Sequence, residues 1–169
     1  FFTGVPDSVL KSLSMYLENN KNHLVAVNEG SAVANGIGYY LSTKKIPCVY
    51  MQNSGLGNAI NPLTSIAHSK IYSIPMILII GWRGSPGMHD EPQHMVKGKI
   101  TRNLLEIMDI EYCVLNTDQD LKKINNLINK ARTKSKPIAL LVKNKTLIAK
   151  FKKKIIPKIN SKLPYRKDI

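Results

Sequence analysis

An α/β fold, three layers deep with helices on both faces of a six-stranded parallel sheet, is what this sequence predicts, and two observations carry the prediction. Short apolar, β-branched runs alternate with longer amphipathic stretches as far as about residue 144, the pattern of strands buried on both faces and joined by crossover helices. With 169 residues and 43% apolar content, the chain is long enough for one such domain with a sizeable core and too short for two large ones.

The elements follow in order. A first strand is read at Phe1–Thr3 and a helix at Asp7–Asn19; a second strand, Leu24–Asn28, passes through Asn28-Glu29-Gly30 into a helix at Ser31–Thr43. The third strand, Pro47–Gln52, ends in the turn Gln52-Asn53-Ser54-Gly55-Leu56-Gly57-Asn58, from which a helix runs over Asn58–Ser69. After the fourth strand, Met76–Ile80, comes the segment Gly81 to His94, with four Gly or Pro in its first seven residues, read as a long functional loop. A helix at Thr101–Met108, a strand at Tyr112–Leu115, a helix at Asp118–Thr133 and a strand at Ile138–Lys143 complete the pattern. Several helices open on residues that can cap free amides. Strand order is left open by the pattern, although right-handed crossovers are expected.

The net charge of +14 is concentrated at one end: residues 1–116 hold 9 Lys and Arg against 8 Asp and Glu, whereas residues 117–169 hold 16 against 3. The core is thus nearly neutral, and the tail, with Lys152-Lys153-Lys154, Pro157 and Pro164, reads as a solvated linker rather than a nucleic-acid arm. The expected organisation is a domain over 1–145 and a basic linker over 146–169, with both ends reading as cut, a first helix missing upstream and a further domain missing downstream. No apolar run approaches the roughly 18 residues of a membrane helix, and the start lacks a signal-peptide layout. A cytoplasmic protein with no membrane and no specific nucleic-acid partner is expected. Cys48 and Cys113 lie in apolar strand-like runs and read as free, hydrophobe-like thiols.

Three places carry candidate chemistry. Glu29 stands where a strand meets a helix, on the side where α/β sheets collect ligands; it is either a functional carboxylate or an acid favoured by the helix dipole. Gly30, Ala34 and Gly38, four residues apart, make one face of the following helix small enough for close approach, such as a subunit contact. The Gly-rich turn at 52–58 follows neither G-x-G-x-x-G nor a Walker pattern, but it can bring backbone amides to an anion. In the long loop, Arg83 is either an anion receptor or a surface arginine, and His94 either a proton carrier or an ordinary loop histidine.

Taken together, Thr3-Gly4-Val5-Pro6-Asp7-Ser8, Asn28-Glu29-Gly30, Tyr50 to Asn58, Tyr72 to Met76, Gly81-Trp82-Arg83-Gly84 and Asp90-Glu91-Pro92-Gln93-His94 resemble the pyrimidine-binding (PYR) domain of the thiamine-diphosphate-dependent 2-oxoacid decarboxylases. The resemblance spans residues 1 to about 145 and implies the thiamine-diphosphate-binding fold. It implies that Glu29 hydrogen-bonds N1′ of the cofactor's aminopyrimidine and drives the proton relay that activates it, with His94 a second catalytic candidate. Gly4, Pro6, Asn53, Gly55 and Gly57 are implied at the cofactor, and Asp7, Ser8, Asn53, Ser54, Arg83, Gln93 and His94 at the substrate. The implied reaction converts phosphonopyruvate to phosphonoacetaldehyde and carbon dioxide, with decarboxylation of sulfopyruvate by an α-type subunit as the alternative, and a non-catalytic α/β binding module as a more distant one. The family holds the diphosphate and its Mg²⁺ with a Gly-Asp-Gly and a later Asn in a separate domain. This chain has no such pattern, so no residue here is assigned to metal. A diphosphate-binding domain, of the same or a partner chain in a homo- or hetero-oligomer, is the expected partner.

Overall fold

In the computed structural model, which describes residues 1–115 and 120–148, six strands form one parallel sheet in the order β2-β1-β3-β4-β6-β5. They are β1 (Phe2–Gly4), β2 (His23–Val25), β3 (Cys48–Gln52), β4 (Ile77–Gly81), β5 (Glu111–Leu115) and β6 (Ile138–Val142). Helices α1 (Lys11–Leu17), α2 (Glu29–Thr43), α3 (Leu56–Pro62), α4 (Pro92–Ile107) and α5 (Leu121–Lys134) lie between them. This is the expected three-layer arrangement.

Alternation along each strand divides the core in two. Val49, Met51, Leu78, Ile80, Ala139 and Leu141 pack beneath α2, α3 and α4. Tyr50, Ile77, Ile79, Leu140 and Val142 pack on the other side, against Leu10 and Leu17 of the α1 region and Leu127 and Ala131 of α5. Strand β6, Ile-Ala-Leu-Leu-Val, is buried at all five residues, as a strand covered on both faces must be.

Several boundaries differ from the sequence reading. Edge strand β2 covers only His23–Val25, and Leu24 and Val25 are about half exposed. Helix α1 starts at Lys11 because Asp7 to Leu10 form a turn, closed by the Leu10 N–H donating to the Asp7 carbonyl. The helix expected at Asn58–Ser69 begins at Leu56, after a 3₁₀ turn at Asn53–Gly55. It meets Pro62, which has no N–H to donate, and widens into a π turn over Leu63–Ala67.

The largest difference is α4, which starts at Pro92 rather than Thr101. Proline suits the first helical turn, where amides have no intrahelical partner, and Gly98 does not break the helix. It marks a close approach: a Cβ on Gly98 would strike the Gly84 carbonyl, and a Cβ on Gly84, whose φ is +62°, would strike the carbonyl of His94. The Trp82 indole N–H donates to the Gly98 carbonyl at 2.9 Å. The long loop therefore ends by Glu91, and Gln93 and His94 belong to the first turn of α4 instead. Asp118, expected to open the last helix, and all but the first three residues of the expected linker lie outside the described residues.

Strand order sets the site. The chain leaves β1 for β2 on one side and then crosses to β3 on the other, so the segments after β1 and β3 diverge at their carboxyl ends and open a crevice between them.

Candidate active site

Glu29 is the first residue of α2. The Asn28 side chain caps the helix by accepting from the Ser31 N–H at 2.8 Å, which fixes the backbone at 29 and sets its carboxylate at the positive end of the helix dipole. Asn58 Nδ2 donates to Glu29 Oε2 at 2.8 Å. On the other side lies Gly55, and a Cβ there would run into Glu29 Cγ, Cδ and Oε1. Among the described residues the half-buried Glu29 makes no ion pair. One carboxylate oxygen is therefore held and the other is left for an outside partner.

A polar chain crosses the crevice. Asp7 is buried and accepts from the Val9 N–H at 3.0 Å and from Gln52 Nε2 at 2.7 Å. Gln52 Oε1 in turn accepts from the Ser54 hydroxyl at 2.7 Å. Gly81 ends β4 without a side chain because a Cβ there would strike Asp7 Oδ2. The ends of β1, β3 and β4 are thus tied together around one carboxylate.

Arg83 and Asp90 close the next loop upon itself. Arg83 Nε donates to Asp90 at 2.8 Å and Nη2 also bonds that carboxylate, while the Gly84 and Glu91 N–H groups donate to it at 2.8 Å each. The Arg83 hydrogen bond, aided by these amides, holds the Asp90 carboxyl well below the usual range, and the same bond pushes the guanidinium further up. Arg83 Nη1 donates to Ser8 Oγ at 3.0 Å. Three of the five guanidinium hydrogens are engaged and two remain, so Arg83, which the sequence left as either an anion receptor or a surface arginine, is a clamp on its own loop with a small donor edge left over.

Other expected site residues sort differently. Asn53 is buried; its Nδ2 donates to the Arg83 carbonyl at 3.0 Å and to Thr101 Oγ1 at 2.9 Å, and its Oδ1 accepts from the Arg83 N–H at 3.1 Å. Its amide is a strut between β3, the Arg83 loop and α4, where a cofactor and substrate contact had been expected. Gly4 is also accounted for by packing, since a Cβ there would meet the Tyr50 ring at 2.6 Å. Pro6 and Gly57 are exposed, and the space beside Gly57 is open. Gln93 is exposed and His94 half-buried on α4, with no hydrogen bond joining either to Glu29 or to the Asp7 chain.

Sequence reasoning missed Gln52, Asn58, Asp90 and Thr101. Gln52 carried a signal, being the polar residue that ends an otherwise apolar strand, and Asp90 another, as an acid in the same loop as Arg83. Among the described residues no group of three or more His, Cys, Asp or Glu side chains is placed to hold a metal ion. A surface pocket lined by Glu106, Asp109, Ile110, Glu111 and Tyr112 opens at the amino-terminal end of β5, away from all these residues. Its acids belong to a structural network: Glu111 bonds Lys130 at 2.6 Å and Lys136 at 3.0 Å, and Tyr112 donates to Glu106 at 3.0 Å.

The family described as thiamine pyrophosphate enzyme, N-terminal TPP binding domain, matches residues 1–107. The chain is 40% identical over 119 residues to a phosphonopyruvate decarboxylase of Streptomyces viridochromogenes, covering 69% of this chain and 29% of that enzyme. It is 34% identical over 145 residues to the sulfopyruvate decarboxylase subunit alpha of Methanococcus maripaludis, covering 84% of each. In structure it resembles the benzoylformate decarboxylase of Polynucleobacter necessarius, with a TM-score of 0.68 at 20% identity over 89% of this chain and 29% of that one; that likeness speaks for the fold. The chain spans less than a third of the first and third of these proteins. With a family match over more than half its length, this chain belongs to the thiamine pyrophosphate enzymes, as an N-terminal TPP binding domain.

Proposed function

We propose that the chain is the aminopyrimidine-binding half of a thiamine-diphosphate-dependent decarboxylase converting phosphonopyruvate to phosphonoacetaldehyde and carbon dioxide. The observation that carries this reading is Glu29: capped in place by Asn28, held at one oxygen by Asn58, and faced by a glycine whose side chain would fill its space. An acid tied into a surface ion pair would look different. The donor set suits an aminopyrimidine ring, whose N1′ needs one positioned carboxyl group.

Thiamine diphosphate, when bound, would supply the sink for the electron pair left behind as carbon dioxide departs. The chain's own part is positional and protonic. Glu29 Oε1, the oxygen not held by Asn58, would exchange a proton with N1′; Gly55, lacking a side chain, leaves that carboxylate its place, and the space beside Gly57 is open. Ser8 and the free edge of Arg83 present donors to an anionic substrate tail. Gln93 and His94 stand at the start of α4, and His94 is the remaining candidate for a proton delivered to product. We assign the domain to 1–145, and the diphosphate and Mg²⁺ to a second domain reached through the basic segment 146–169 or supplied by another chain. Decarboxylation of sulfopyruvate is the second reading, favoured by the 84% mutual coverage with an alpha subunit.

The test is reconstitution with a diphosphate-binding domain, thiamine diphosphate and Mg²⁺, followed by aldehyde release. Glu29→Gln should lower kcat by about 10²–10⁴, the worth of a positioned acid–base group, with an unchanged circular dichroism spectrum. Activity that survives the substitution intact removes the reading.

A further inference from the structure

Hydrogen-bond polarity at the crevice distinguishes two serines that look alike in sequence. An aspartate carboxylate offers only acceptors, so Gln52 must turn Nε2 toward Asp7, as it does at 2.7 Å. That leaves Gln52 Oε1 facing Ser54, and the Ser54 hydroxyl must donate to it, at 2.7 Å. A serine has one proton. Its own being committed to Gln52, Ser54 has only lone pairs to offer, and among the described residues nothing donates to them. Ser8 has the opposite polarity: its oxygen accepts from Arg83 Nη1 at 3.0 Å, and its own proton is free to donate outward. Ser8 lies in the turn that follows β1 and Ser54 in the 3₁₀ turn that follows the neighbouring β3, and Ser8 is next in sequence to the Asp7 to which Gln52, and through it Ser54, is bonded.

We infer that Ser8 and Ser54 form an opposed donor and acceptor pair that selects a monoprotonated phosphonate tail over a sulfonate, with Gln52 as the positioning residue that sets the polarity. The inference rests on the proposed function and decides between its two substrates. Between its two ionisations a phosphonate has both anionic oxygens, which Ser8 can bond, and one P–OH, which Ser54 can accept. A sulfonate is fully ionised at neutral pH and has no proton to give. Facing Ser54 it meets lone pair with lone pair, unless Ser54 turns away and leaves Gln52 Oε1 without its bond. One misplaced hydrogen bond at a half-exposed site gives about a tenfold discrimination.

The holoenzyme, with the diphosphate-binding domain fused or supplied by a partner chain and with thiamine diphosphate and Mg²⁺, tests this through kcat/KM on phosphonopyruvate and sulfopyruvate across the second ionisation of the phosphonate. Wild type should prefer phosphonopyruvate by about tenfold and lose that preference as pH rises through the ionisation. Gln52→Met should bring the ratio near unity and flatten its pH dependence. Ser54→Ala, which leaves the Asp7 to Gln52 bond intact, should do the same and carries the test if Gln52→Met fails to fold. A wild type that prefers sulfopyruvate, or a ratio unmoved in the folded variants, overturns the inference while the proposed decarboxylation stands. A loss confined to thiamine diphosphate affinity overturns it as well, because the donor met by Ser54 would then be the cofactor's amino group. No aldehyde from either substrate in wild type overturns the proposed function itself.

Discussion

Glu29 and Gly55 act as one unit, because the space a side chain at 55 would need is where the carboxylate lies. A Cβ at 55 meets the far end of a flexible side chain, so Gly55→Ala should fold, displacing Glu29 rather than the backbone. We expect reconstituted activity to fall at least about 100-fold with a melting temperature within a few degrees of wild type; a silent substitution would show that Glu29 has room the geometry denies it. Tyr50 is a different kind of residue. It is fully buried beneath Gly4, its hydroxyl meets His23 Nε2 at 2.8 Å, and burial pushes its ionisation up. It supports the strand that carries Gln52 without belonging to the chemistry.

At the scale of elements, α4 and the loop before it stand or fall together. Gly98→Ala would gain about 1 kcal/mol of helix propensity, but its Cβ would strike the backbone of Gly84, which cannot swing aside. The clash should win, with a net loss of roughly 1–3 kcal/mol seen in thermal melting. Asp90→Asn should cost about 1.5–3 kcal/mol by weakening charge-assisted bonds to Arg83 and the loop amides, and it should raise amide exchange over residues 83–91. These same features explain what the sequence did and did not disclose. The strands and their parallel packing were legible because Ile77–Gly81 and Ile138–Val142 are continuous apolar runs between turn residues. Glu29 was legible because a carboxylate at a strand-to-helix junction is conspicuous. The start of α4 was hidden because Gly98 and Pro92 read as punctuation, although one marks a close contact and the other a helix's first turn. The polarity of Gln52 was hidden too, since it depends on Asp7, 45 positions away.

For the whole molecule, acid is the informative stress. Glu111 lies under Lys130 and Lys136, whose hydrogen bonds lower its carboxyl from 4.5 to about 2. Its folded value lies below its unfolded one, so the stabilisation is complete above about pH 4.5 and disappears as pH falls toward 2. Glu111→Gln should therefore flatten the pH dependence of unfolding across that window, measured by urea denaturation at successive pH values, while Asp90, shifted the same way, keeps its own share. Among the described residues strand β5 pairs only with β6, and β6, buried at each residue, slots between β5 and β4. During synthesis, then, β5 leaves the ribosome with no neighbour to join, and β4 keeps an open flank, until Ile138–Val142 arrives to join both. A polypeptide stopped just short of β6 would forfeit two strands rather than one, exposing Leu78 and Ile80 along the gap, and should precipitate where the six-stranded sheet does not.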